Sequence, residues 1–219
     1  MRYPLIVIEG LDGSGKATQT KRLCRELLQR RIPYRQLSFP DYAQDSSALV
    51  KMYLNGDFGL DPQKVNAYAA ASFYAVDRYA SFVKFWKNDY DNGVCMVADR
   101  YVTSNFIYQM TKLPCDQWDA FMDWVQDYEY RKLGLPRPDV VLYLDVPPAV
   151  SQALLSRRYD GNDDRKDIHE RNIAFLQRCR EAALYSARKL GWRVLACAED
   201  DRMKPVEQVF DEMLLLLNL

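Results

Sequence analysis

Ile8-Glu9-Gly10-Leu11-Asp12-Gly13-Ser14-Gly15-Lys16-Ala17 is the stretch that decides the fold. Just before it, Leu5 to Glu9 form a short apolar, β-branched run that stops at Gly10, the pattern of a strand buried on both faces of a parallel sheet. Just after it, from Lys16 to Arg31, Leu23, Leu27 and Leu28 recur at helical spacing with charges between them, so the glycine-rich loop opens a helix. Gly10 to Lys16 fits the phosphate-loop pattern G-x-x-x-x-G-K in the strand-loop-helix context its mechanism requires. Glycines let the chain curl until successive N–H groups face an anion, the helix N-terminus adds partial positive charge, and Lys16 reaches the outer phosphates. A plain turn has no need of a lysine there. Gly10, Leu11, Asp12, Gly13, Ser14, Gly15, Lys16, Ala17 and Thr18 are therefore the candidate phosphate-binding segment.

Further strand-like runs at Arg35 to Phe39, Val94 to Ala98, Val140 to Leu144 and Arg193 to Ala198 alternate with helical stretches. That alternation predicts an α/β chain with an open, five-stranded, mostly parallel sheet and helices on both faces. Helical faces are read at Val65 to Trp86, at Trp118, Phe121, Met122, Val125 and Tyr128, and from Val206 to Leu217. The polar stretch Arg157 to Lys166 interrupts two helical patterns and reads as a short lid, over about residues 157–167. All 219 residues fit one domain. Lys plus Arg number 30 and Asp plus Glu 30, a balance that gives no reason to expect a nucleic-acid or membrane partner. Five scattered cysteines without metal-ligand spacing point to reduced thiols, and no apolar run is long enough to span a bilayer, so the expectation is a cytoplasmic protein.

The phosphate loop resembles that of the thymidylate kinase family, and other segments carry the resemblance further, over residue 3 to about residue 190. They are Phe39-Pro40-Asp41-Tyr42, Asp77-Arg78, Asp99-Arg100-Tyr101, Thr103-Ser104-Asn105 and Tyr108-Gln109. The resemblance implies a P-loop kinase fold, transfer of phosphate from ATP to dTMP with Mg2+, and a homodimer. It places Asp12, Phe39, Pro40, Tyr42, Tyr74, Arg78, Arg100, Asn105, Tyr108 and Gln109 on the acceptor side, with Tyr108 disfavouring a 2′-hydroxyl. The residue types suit the task, since planar guanidinium groups clamp a phosphate bidentately, which makes Arg78 and Arg100 the candidates. Tyr74, one turn before Arg78, can stack on a base whose phosphate Arg78 holds. The family sets a catalytic arginine in the loop or on the lid; Gly13 and Ser14 fill the loop here, while Arg157, Arg158, Arg165 and Lys166 populate the lid. Arg158 or Arg165 is the expected catalytic cation, beside Lys16, Asp12 and Arg100.

Two positions depart from the pattern. The Ser or Thr whose hydroxyl sits on Mg2+ is Ala17, with Thr18 one residue late. Either the ion is held through water and a carboxylate such as Asp99 or Asp12, or nucleotide is bound without efficient turnover. Asp41 stands where the family often has Arg. Two rival readings follow. The first is another nucleoside monophosphate kinase or a deoxynucleoside kinase, which share the glycine loop; the deoxynucleoside kinase needs a base for a neutral hydroxyl, for which Glu9 is the nearest carboxylate. A regulatory nucleotide-binding module would keep the fold without the turnover. His169, the sole histidine, reads as a solvated helix residue.

Overall fold

The structure, a computed structural model, describes residues 5–59, 61–152 and 173–219. Five strands, β1 (Leu5–Gly10), β2 (Tyr34–Ser38), β3 (Cys95–Asp99), β4 (Val140–Asp145) and β5 (Arg193–Ala196), form one sheet in the order β2-β3-β1-β4-β5. Every neighbouring pair is parallel. Around it, in chain order, run α1 (Lys16–Gln29), α2 (Ala48–Asn55), α3 (Ala67–Ser81), α4 (Lys87–Asp91), α5 (Ser104–Ile107), α6 (Trp118–Val125), α7 (Ile173–Leu190) and α8 (Val206–Leu217).

Alternation along β1 assigns its side chains to two cores. Leu5 and Val7 pack with residues of α3, α6 and α7, among them Ala71, Phe121, Leu176 and Cys179. Ile6 and Ile8 face the opposite layer with Leu23 and Leu27 of α1 and Val209, Met213 and Leu217 of α8. All four β1 residues are 0 % exposed, and full burial of such side chains contributes about 1.5–3 kcal/mol each. This is the sheet covered on both faces that the continuous apolar runs predict.

The differences from expectation are local. The fifth strand ends at Ala196; Ala198–Glu199 turns back on Arg202–Met203 as a small antiparallel hairpin (β6, β7), with Asp200 and Asp201 at φ 49 and 56, a conformation aspartate tolerates better than most residues. The long helix read from Val65 starts at Ala67, because the Asn66 side chain accepts hydrogen bonds from the N–H groups of Tyr68 and Ala69 at 2.8 and 3.2 Å. It widens into a π-helical turn over Phe82–Trp86 before α4. A second π-helical segment, Gln126–Lys132, continues α6, and there the buried stripe passes through Glu129 while Tyr128 is only half-buried. Among the described residues no helix is long and apolar enough to cross a membrane.

Strand order is what positions the site. β1 lies beside β3 with Ile8 opposite Asp99, so the loops leaving the two strands open on the same carboxyl edge, where ligands of open α/β sheets collect.

Candidate active site

After β1 the chain turns tightly under itself. A Cβ added to Gly10 would lie 2.5 Å from Ser14 Oγ and 3.0 Å from the Leu144 carbonyl, so the strand-to-loop turn accepts only glycine. Gly15, at φ 84, occupies the cap position of α1 without a side-chain cap, and among the described residues no side chain bonds the first-turn N–H groups, the arrangement that suits an anion. Lys16 is 7 % exposed; its Nζ donates to the Leu11 carbonyl at 2.9 Å and stands 3.8 Å from Asp12 Oδ1. Burial, then repulsion from Arg100, lowers its pKa to about 8.

After β3, Arg100 adopts φ 67, a left-handed conformation that is uncommon for a residue with a side chain and is kept only where the surroundings impose it. Its N–H donates to the Ile8 carbonyl at 3.1 Å. The following turn is fastened by Glu9, fully buried, whose Oε1 accepts from Tyr101 N–H at 3.2 Å, Thr103 Oγ1 at 2.7 Å and Ser104 Oγ at 2.9 Å. Burial holds the Glu9 carboxyl above its ordinary range, against the pull of Arg100 and of the Thr103 and Ser104 hydroxyls. Glu9 thus spends its acceptors on the loop and lines no part of the cavity, which removes it as the base a nucleoside kinase would need. The Arg100 guanidinium emerges over the Tyr108 ring, 4.9 Å from its centroid, and donates to Asp12 Oδ1 at 2.6 Å.

These loops border a cavity of about 710 Å³. Of the residues singled out from sequence, Asp12, Gly13, Gly15, Lys16, Ala17, Thr18, Phe39, Pro40, Tyr42, Tyr74, Arg78, Asp99, Arg100, Asn105, Tyr108 and Gln109 all line it. Gly10, Leu11 and Ser14 lie beneath, shaping the loop from its buried side. Arg158 and Arg165, with Arg157, Lys166 and His169, lie outside the described residues.

One assignment needs correcting in form. Arg78 is 2 % exposed and spends its fork on Glu129, with Nε donating to Oε2 at 2.7 Å and Nη2 to Oε1 at 2.6 Å, while Nη1 is 3.4 Å from the Tyr101 carbonyl. A guanidinium neutralised by a bidentate carboxylate is not a free phosphate clamp; what it offers the cavity is a hydrogen-bonding edge. Asn105 belongs to the same group, its Nδ2 donating to Glu129 Oε1 at 2.9 Å. The polar residues therefore form two clusters: Lys16, Asp12, Asp99 and Arg100 at the phosphate loop, and Arg78, Glu129 and Asn105 in the wall. Asp77 takes no part in a pair with its neighbour Arg78. It accepts from Asp41 N–H at 2.9 Å and Ser46 Oγ at 2.7 Å, tying the loop of Phe39, Pro40 and Tyr42 to α3.

Ser38, Leu54, Tyr101 and Ser104 also line the cavity without having been named as site residues, and Glu129 and Asp77 support it from behind. Glu129 left a trace in the sequence: it continues the apolar stripe Trp118, Phe121, Met122, Val125 at the next helical position, where a charge demands a partner. Nothing of the kind marks Leu54. For a divalent cation, no group of three or more His, Cys, Asp or Glu among the described residues is arranged as a cage, and Ala17 supplies no hydroxyl. The Asp99 and Asp12 carboxylates on the cavity wall suit an ion that keeps waters and takes its other ligands from phosphates.

A glycine-rich loop with a buried lysine and an arginine-bearing loop, held side by side by adjacent parallel strands in the order β2-β3-β1-β4-β5, define a P-loop kinase. Comparison with known proteins narrows the class. The family description Thymidylate kinase matches residues 8–211. A thymidylate kinase of Mycobacterium tuberculosis is 33 % identical over 185 residues, 80 % of this chain and 81 % of that protein. One from Carboxydothermus hydrogenoformans is 29 % identical over 214 residues, 97 % of this chain and 96 % of that one. The solved thymidylate kinase of Candida albicans superposes with a TM-score of 0.71 at 22 % identity, covering 99 % of this chain and 92 % of its own. The chain belongs to the thymidylate kinase family.

Proposed function

We propose that the protein transfers the γ-phosphate of ATP to dTMP, giving dTDP and ADP. The observation that carries this reading is the convergence of Lys16, Asp12 and Arg100 from two adjacent loops on one cavity, whose opposite wall is polar but neutralised by the Arg78–Glu129 pair. ATP phosphates are assigned to the N–H groups of the loop and to Lys16. The acceptor phosphate is assigned to Arg100, released from Asp12 when the stronger anion arrives. The base is assigned to the face of Tyr74 and the hydrogen-bonding edges of Arg78, Asn105 and Gln109, and the sugar to Tyr108. No general base is required, because a monophosphate with a second pKa of ~6 is largely ionised at neutral pH. Catalysis is then positioning and neutralisation of charge, with Arg158 or Arg165 assigned to close on the transferring group. Mg2+ is assigned to the Asp99 side of the cavity, where the bound ion would neutralise the phosphate oxygens.

The proposal includes a homodimer. Val76, Tyr79 and Val83 stand exposed in one stripe along α3 and its π-helical turn, at 38, 43 and 54 %, beside exposed Leu49 and Met52 of α2. A run of exposed apolar side chains along one helix face suits a second copy of the chain.

The test is ADP formation from ATP with dTMP, other nucleoside monophosphates and free thymidine, over a range of Mg2+ concentrations, beside Lys16→Ala. Rapid turnover with dTMP that vanishes in the variant supports the reading. Preference for another acceptor overturns the substrate, and ATP binding without turnover on any acceptor favours the regulatory module.

A further inference from the structure

Glu129 is 1 % exposed and does not line the cavity, yet it holds two residues that do. Its Oε2 accepts from Arg78 Nε, and its Oε1 from both Arg78 Nη2 and Asn105 Nδ2, at 2.7, 2.6 and 2.9 Å. We propose that Glu129 is a positioning residue that sets which pyrimidine the site accepts, by fixing the hydrogen-bond polarity of Arg78 and Asn105; this rests on the monophosphate acceptor assigned above.

The wall cluster is the place for a base on grounds of charge. Phosphates are drawn to Lys16, Arg100 and the uncapped start of α1, whereas Arg78 and Glu129 neutralise each other and offer hydrogen bonds without net charge. An ionised carboxylate can only accept. Asn105 must therefore turn Nδ2 toward Glu129, which leaves Oδ1, the opposite branch of the amide, on the cavity side. Without that anchor the two amide orientations are nearly equivalent in shape, and the wall would have no fixed polarity. Arg78 can only donate, and the carboxylate aims it. Gln109 adds a buried amide whose Oε1 has no hydrogen-bond partner among the described residues, so it can turn either end to a ligand and adapts to the polarity that Asn105 sets.

The wall thus presents donors from Arg78 beside the acceptor of Asn105. A pyrimidine with a carbonyl at C4 and a proton on N3 matches that order, as thymine does. Cytosine, with an amino donor at C4 and a bare acceptor at N3, sets donor against donor and acceptor against acceptor. Sites built to hydrogen-bond discriminate strongly, because a mismatch leaves their buried polar groups unpaired.

Glu129→Gln tests the idea directly. A glutamine has one acceptor oxygen where the carboxylate has two, and it turns an N–H against either the guanidinium or the amide. The KM for dTMP should rise at least about tenfold with the KM for ATP unchanged, and the preference for dTMP over dCMP in kcat/KM should fall at least about tenfold. A variant that turns over dTMP with its preference intact overturns the proposal, because a merely structural carboxylate would lower the amount of folded protein without moving that ratio. The unmodified protein supplies a second arm should the variant not fold. Methylation at N3 of dTMP removes the donor, so binding should weaken at least about tenfold; equal binding of the methylated and parent nucleotides means no acceptor faces N3 and rejects the mechanism. If the unmodified protein prefers a different monophosphate, the acceptor assignment fails instead, and the two failures are told apart before any variant is made.

Discussion

Lys16 is buried where its charge is disfavoured, and the phosphate contact proposed for it makes ATP binding a titration. In the free protein its pKa is lowered to about 8, by burial and then by Arg100, from an ordinary 10.5. A phosphate beside Nζ favours the ammonium, so the bound form holds its proton to higher pH. ATP affinity should therefore decline as pH rises above about 8, and binding in that range should take up a proton. Calorimetry in two buffers of different ionisation enthalpy measures this uptake, which Lys16→Ala should abolish; an uptake that survives the substitution belongs to another group. Stability without ligand runs the other way. Between about 8 and 10.5 the unfolded chain binds more protons than the folded one at this site, so the contribution of Lys16 to stability rises with pH across that window.

Among the elements, the loop between β2 and α2 shows how a site wall is held from behind. Asp77 is 1 % exposed and takes its hydrogen bonds from Asp41 N–H and Ser46 Oγ. Asp77→Ala orphans both donors, at a cost of about 1–3 kcal/mol, and loosens the segment carrying Phe39, Pro40 and Tyr42. Steady-state kinetics should show the KM for dTMP rising several-fold with the KM for ATP nearly constant, whereas two unchanged constants would show that the loop needs no such anchor. The same loop marks the limit of reading by sequence. Strands such as β1 and β4 were legible because apolar β-branched runs stop at glycine or a charge, and the phosphate loop because its spacing encodes its geometry. The supports were not, because what a buried charge does depends on partners far along the chain. Asp77 and Arg78 are neighbours in sequence, yet one fastens a loop 36 residues back and the other meets a carboxylate 51 residues ahead. Residue type and resemblance made Arg78 a phosphate clamp; only Glu129 reveals that its fork is occupied.

At the scale of the molecule, the apolar stripe on α3 carries the expectation of a twofold assembly. Replacing Tyr79 and Val83 together by glutamate should convert the species measured by light scattering from two chains to one, since like charges would then meet across a twofold axis. A mass unchanged by the substitution, or a single chain before it, removes α3 as the interface.

The position of β1 has a further consequence for the order in which the protein is built. The strand made first lies third in the sheet, and it pairs with β3 at residues 96–99 and with β4 at residues 140–144. Until synthesis has passed residue 95, β1 has neither of its neighbouring strands and the carboxylate of Glu9 has none of its donors, which arrive with Tyr101, Thr103 and Ser104. Contacts of such long sequence separation form slowly and leave apolar edges open meanwhile. Synthesis must pass Asp145 before β1 has both neighbours, so the phosphate loop is the earliest part of the site to be translated and among the last to take its shape.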